Sequence, residues 1–166
     1  MSQTAAVQKN DEVRAYHATF TTERNYPAAP AKVFEAFSNP GTKRRWFAEG
    51  EGWEVFQYDL DFRVGGSETS RFAFQGGPEV RNDTQFQDIV PNQRIVLSYR
   101  MTMGSKVLSI CLSTIELTPA GSGTTLSYTE QGAYFEGGAD LAKGHEEGGR
   151  QLLERLAAAL EGRLQD

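Results

Sequence analysis

The chain holds two histidines, His17 and His145, and one cysteine, Cys111, so the side chains suited to chemistry near neutral pH can be weighed one at a time. His145 stands in GHEEGGRQLLERLAAALEG, Gly144 to Gly162, directly before Glu146 and Glu147. A zinc-protease helix places a second histidine four residues after the first, so that both imidazoles share one face. Position 149 is glycine, and that reading fails. With His17 far away in sequence and a single thiol, no metal site is expected. No Gly-x-Ser-x-Gly elbow occurs, and Cys111 lies in a strand among apolar or small neighbours, which reads as an inert core thiol. What remains is acid–base chemistry. His145 at the rim of an apolar pocket is the one candidate catalytic residue, because an imidazole can both take up and give a proton. Glu68, Ser70, Tyr58, Tyr99 and Tyr128 occupy strand positions that bring polar tips to the same space. The run Lys43-Arg44-Arg45 beside Trp46 reads as the solvated face of a short helix.

Composition bounds the partners. A chain of 166 residues fits one domain with a real core. Its net charge of −5 offers no overall attraction to a phosphate backbone, so nucleic acid is not expected as a partner. Residues 1–14 are polar and read as a loosely ordered leader before a domain over 15–163. No apolar run approaches the ~20 residues needed to span a bilayer, so membrane insertion is not expected. These features point to a soluble, cytoplasmic protein, and none implies a cofactor.

The hydrophobic period supplies the elements that position these residues. From Ala15 to Tyr26 the chain alternates, with Tyr16, Ala18 and Phe20 on one face and His17 on the wet one. Pro30 opens a short helix carrying Val33, Phe34 and Phe37, Asn39-Pro40-Gly41 ends it, and a second helical turn carries Trp46 and Phe47. From Trp53 the period becomes two, with Phe56, Tyr58, Leu60 and Phe62 on one face. Gly65-Gly66 turns the chain into a strand with Glu68, Ser70, Phe72 and Phe74 in register. Further strands fit Val80–Val90, Arg94–Met101, Lys106–Leu117 and Thr124–Gln131. Seven strands with short turns make a curved antiparallel sheet. The long C-terminal helix covers it with a stripe of Leu160, Leu156, Leu153, Leu152, Gly149 and His145, while Glu146 and Glu147 fall in its first turn.

This order, together with the local text, resembles the START-like, or SRPBCC, superfamily with its α+β helix-grip fold. PAAPAKVFEAFSNPGTKRRWF is similar to the superfamily's opening segment and DLDFRVGGSETSRF to its Gly-Gly hairpin. DIVPNQRIVLSY and GTTLSYTEQG are similar to its later strands. Together they resemble the branch named for the activator of heat shock protein 90 ATPase. The resemblance implies a deep cavity between the sheet and the last helix that holds a hydrophobic small molecule, lipid-like or polyketide-like. The aromatic surplus agrees with it. Trp46, Phe56, Tyr58, Phe62, Phe72, Phe74, Tyr99, Met101 and Tyr128 are the candidate apolar wall, and Glu68, His145 and Gly149 complete the ligand-binding set. Members of the branch commonly carry tryptophan where Gly149 stands, so the resemblance implies either a wider cavity beside His145, the outcome favoured here, or a helix lying closer to the sheet. Two other activities occur on this scaffold. One is a polyketide cyclase or dehydratase, with His145 shuttling a proton and a tyrosine stabilising an enolate. The other is a co-chaperone of heat shock protein 90, an activity that in the family draws on an additional N-terminal domain. A homodimer stays open.

Overall fold

The computed structural model describes residues 14–164; residues 1–13, nearly all of the expected leader, lie outside them. Strand β1 (Tyr16–Tyr26) is followed by helix α1 (Pro30–Ser38) and helix α2 (Pro40–Lys43), which continues as a π-helical turn, Arg44–Ala48. Six strands follow: β2 (Trp53–Leu60), β3 (Ser67–Phe74), β4 (Val80–Val90), β5 (Arg94–Met103), β6 (Lys106–Ala120) and β7 (Gly123–Tyr134). Helix α3 (Gly138–Leu160) closes the domain. The strands form one antiparallel sheet in the order β1-β7-β6-β5-β4-β3-β2, so every neighbour but the β1–β7 pair is joined by a hairpin.

Local chemistry sets the helix boundaries near the cavity. Pro30 begins α1, where its missing N–H would have had no partner. Asn39, held extended before Pro40, ends α1 and caps α2 by accepting from the Thr42 N–H at 3.1 Å. The core then forms between the concave sheet and the helices. Val33 and Phe37 of α1 and Trp46 of the π turn meet Phe86, Ile95, Ile115 and Leu126 of the sheet and Leu153 and Leu156 of α3, all buried. The Trp46 indole donates to the Ala36 carbonyl at 2.8 Å, and the Tyr26 hydroxyl donates to the Leu153 carbonyl at 2.9 Å, tying α3 to β1.

Three sequence expectations change. Helix α3 starts at Gly138, after Gly137 at a φ of 75°, two turns earlier than the text around His145 suggested. Gly144, Gly148 and Gly149 lie inside it, and glycines that cost a helix about 1 kcal/mol each had the look of a boundary. Glu146 and Glu147 are therefore mid-helix and pair with Arg150 at 3.6 and 2.6 Å; the acidic residue of the first turn is Asp140. Second, a bulge between Val55 and Gln57 breaks the β2 alternation. Phe56 consequently faces outward, at 45% exposed, while Trp53 and Val55 pair with Phe74 and Phe72. Third, β5, β6 and β7 run past their expected ends, to Met103, Ala120 and Tyr134. Among the described residues no helix is long and apolar enough to cross a membrane.

Leu156 is fully buried at the centre of the helix–sheet contact. Leu156→Ala is expected to lower unfolding free energy by about 2–5 kcal/mol, measured by urea denaturation.

Candidate functional site

Between the concave sheet and α3 lies a cavity of about 440 Å³. Leu97 and Met101 of β5, Ile115 of β6, Phe72 of β3 and Trp46 and Phe47 of the π turn give it an apolar wall. Tyr99, Tyr128, Glu130 and His145 stand along the β5–β7 side, and Lys43, Glu68, Ser70, Asn82 and Thr84 along the β3–β4 side. Of the expected ligand-binding set, the structure brings Trp46, Glu68, Phe72, Tyr99, Met101, Tyr128, His145 and Gly149 to this cavity. Four others lie off it. The bulge turns Phe56 outward; Phe74 is 47% exposed and packs on Trp53 with ring centroids 4.8 Å apart. Phe62, beyond the end of β2, packs edge-on against Phe34 and Phe86. Tyr58 stays on the inner face but sits behind Glu68, to which its hydroxyl donates at 2.6 Å.

The β5–β7 side is organised by Glu130, which is 2% exposed. Alternation along β7 puts Tyr128, Glu130 and Tyr134 on one face, and strand pairing sets Tyr99 of β5 opposite Cys111 of β6 beside them. One carboxylate oxygen accepts from Tyr99 and Tyr128, at 2.8 and 2.6 Å; the other accepts from Tyr134 at 3.0 Å and faces His145 Nδ1 at 3.2 Å. Because the carboxylate only accepts, the Nδ1 hydrogen points to it and to the Tyr99 oxygen at 2.8 Å, leaving Nε2 near Ser109 Oγ at 3.4 Å. Burial pushes the Glu130 carboxyl up, but hydrogen bonds from His145, Tyr128 and Tyr99 outweigh it and hold the group below the usual carboxylate range. The same burial, with the Glu130 charge close by, raises the Tyr99, Tyr128 and Tyr134 hydroxyls and pushes the Cys111 thiol up to about 12.

Gly132 makes this arrangement possible. A Cβ there would lie 2.5 Å from the Tyr134 ring and hydroxyl, so a bare backbone is what lets that ring fold back to Glu130. The side-chain ligand atoms of Cys111, Glu130 and His145 fall within 4.8 Å of one another, spacing that a metal ion also uses. The carboxylate is already engaged by three hydroxyls and an imidazole, and the thiol is held protonated at neutral pH. As the side chains stand, the carboxylate, the three hydroxyls and the imidazole form a hydrogen-bond network.

The opposite side overturns the reading of the basic run as a solvated face. Lys43 is 3% exposed and its ammonium lies 3.1 Å from Glu68, itself 2% exposed. Phe37, Trp46 and Phe47 surround the ammonium, with the Phe47 ring centre at 4.4 Å. Arg44 pairs with Glu49 near the surface. Arg155 of α3 donates to the carbonyls of Arg45, Trp46 and Glu49, so the last helix is bonded to the π turn through its backbone. Glu130 was within reach of the sequence, since it shares a face with Tyr128. Lys43, Asn82 and Arg155 had no such signal, because their burial depends on packing between distant elements.

A curved antiparallel sheet gripping a long C-terminal helix over an internal cavity is the helix-grip fold. The chain belongs to the family described as activator of Hsp90 ATPase homolog 1-like protein, whose profile matches residues 27–161. Mll3558 from Rhizobium loti is similar at 59% identity over 87% of this chain and 98% of its own, with a TM-score of 0.80. An uncharacterized protein from Rhizobium leguminosarum is similar at 38% identity over 89% of this chain and 96% of its own, with a TM-score of 0.83. DynU16, a protein of the dynemicin biosynthetic locus, shares the fold at 20% identity over 86% of this chain and 47% of its own, with a TM-score of 0.64. No curated protein matches the chain.

Two outcomes follow from the Glu130 network. The folded pKa of Glu130 is depressed, so its stabilisation is complete above the unfolded value of about 4.3 and is lost as pH falls through the folded value. Glu130→Gln should cost about 2–4 kcal/mol at pH 7, and the gap to the parent protein should shrink in melts below about pH 4. Cys111, 3% exposed, should resist iodoacetamide at pH 8 in the native protein and react fully once it is denatured, as mass spectrometry would show.

Proposed function

We propose that the protein binds a hydrophobic or aromatic small molecule, lipid-like or polyketide-like, between the sheet and α3. The observation that carries this reading is the cavity itself. Its volume of about 440 Å³ falls within the ~300–1,000 Å³ usual for ligand sites, and it combines an aromatic and aliphatic wall with polar side chains gathered on its β5–β7 and β3–β4 sides. Three glycines of α3 extend the space. Gly144, Gly148 and Gly149 all line it, and a Cβ at Gly144 or Gly148 would meet nothing within 4 Å. At Gly149 a Cβ would touch the Tyr128 ring at 3.4 Å, so the volume there belongs partly to that tyrosine.

Native mass spectrometry and thermal shift with a panel of sterols, fatty acids and polycyclic aromatics test the proposal. Gly148→Leu is the informative variant. Replacing a helical glycine should raise stability by about 1 kcal/mol while the new side chain fills the cavity and weakens ligand binding at least about tenfold. A panel without a single binder, or undiminished binding by Gly148→Leu, would refute it.

One geometric observation supports a second reading, a cyclase- or dehydratase-type enzyme. His145 lies on the cavity, its Nδ1 side oriented by Glu130 and Tyr99, an arrangement that suits an imidazole moving protons. The shared fold with DynU16 does not by itself carry chemistry. On an identified substrate His145→Ala should then lower kcat by about 10²–10⁴-fold; full turnover by that variant would leave binding as the sole role.

A further inference from the structure

Lys43 and Arg155 both line the cavity, and their charges are met differently. Lys43 is sealed in and neutralised by Glu68. Arg155 is only half-buried, and among the described residues no carboxylate pairs with it. Its Nε donates to the Trp46 carbonyl at 3.0 Å, and Nη2 donates to the carbonyls of Arg45 and Glu49. The two hydrogens of Nη1 meet no acceptor among the described residues.

The neighbours of Nη1 place it at the end of the cavity that meets solvent. Trp53, 44% exposed, and Gln151, also exposed, line that end together with Glu49, whose carboxylate is engaged by Arg44. A Cβ at Gly50 would lie 3.0 Å from both Nη1 and the Trp53 ring, so the bare backbone there leaves room beside the nitrogen. Along α3, Gly144, Gly148, Leu152 and Arg155 follow at steps of four, four and three and share one face. That face runs about 16 Å, from open space over two glycines, past an apolar side chain, to a positive charge.

We infer that Arg155 is a specificity-determining residue that receives a carboxylate at the mouth of the cavity. The ligand is then an amphipathic acid. Its apolar body lies under α3 along the glycines, and its ionised end stays at the solvent boundary on Nη1 with Trp53 beside it. The bonds to three backbone carbonyls fix the guanidinium, and a charge-assisted hydrogen bond to it is stronger than a neutral one. Glu130, a carboxylate buried on the β5–β7 side, opposes an acid that enters the other way round. This inference rests on the cavity being a small-molecule site.

The test uses the full chain and three probes with one tail, decanoate, 1-decanol and decylamine, compared by isothermal titration calorimetry near neutral pH. The parent protein should bind decanoate about tenfold more tightly than 1-decanol, the effect of one charge-assisted hydrogen bond, and decylamine, a cation at that pH, more weakly than either. Arg155→Met keeps an apolar stem without the charge and should bind decanoate no more tightly than 1-decanol. The readout is a ratio of two ligands in one protein, so a general loosening of the cavity cancels. If Arg155→Met fails to fold, Gly50→Ala carries the same comparison: its methyl crowds Nη1 while the carbonyl bonds stay, and the preference for decanoate should fall at least about threefold. Equal binding of decanoate and 1-decanol by the parent protein, or a preference unchanged in the variant that folds, would overturn the inference and leave the cavity reading standing. Binding of none of the three would overturn it as well, and the panel of sterols and polycyclic aromatics then decides the cavity reading by itself.

Discussion

A carboxylate inside a protein stays charged only if donors replace the water it has lost, and Glu130 is such a carboxylate. Meeting that demand recruits side chains from three elements: Tyr99 from β5, Tyr128 and Tyr134 from β7, and His145 from α3. The register of β5, β6 and β7 and the rotation of α3 about its axis are therefore coupled through one residue. A slip of one position in any of these strands would turn its contribution away from the cavity. The aromatic core could pack in several ways; the buried charge narrows them, because each hydroxyl and the imidazole must arrive at the same two oxygens.

Much of the fold was legible because it depends on periodicities that local sequence carries. Seven strands, a short helix opened by Pro30, a second helical turn and a final amphipathic helix all follow from alternation, from three- and four-residue spacing and from Pro and Gly punctuation. The misreadings have physical causes. Phe56 follows the alternation in sequence, but a bulge is an extra residue in one strand and leaves no mark in hydrophobic order. The start of α3 was hidden because helix propensity argues against glycine, whereas tertiary packing along Leu153 and Leu156 carries the helix through Gly144, Gly148 and Gly149.

The candidate site was legible in outline and not in its partners. His145, Tyr99 and Tyr128 could be placed on the covered face by counting; that Glu130 joins them follows from the same count once its neighbours are known. Lys43 shows the opposite situation. A basic triplet on a short helix is ordinarily solvated, and only the meeting of the π turn with β3 puts the middle of an aromatic cluster around one of the three. Arg155 reads in sequence as a solvated helix residue, and its place at the mouth of the cavity is a property of the assembled fold.

The Lys43–Glu68 pair gives the fold a mechanical property. Helix α3 braces the β1–β7 side of the sheet through the Tyr26 bond, while the β2–β3 hairpin meets the helical layer at Lys43, Glu68 and Tyr58. The domain is thus a clamp with one fixed jaw and one jaw held by an ion pair that borders the cavity. Attraction between two charges grows as water leaves their surroundings. Both side chains are already almost fully covered, so their attraction is little screened by water and the β2–β3 hairpin is fastened to the helical layer by charge as well as by packing.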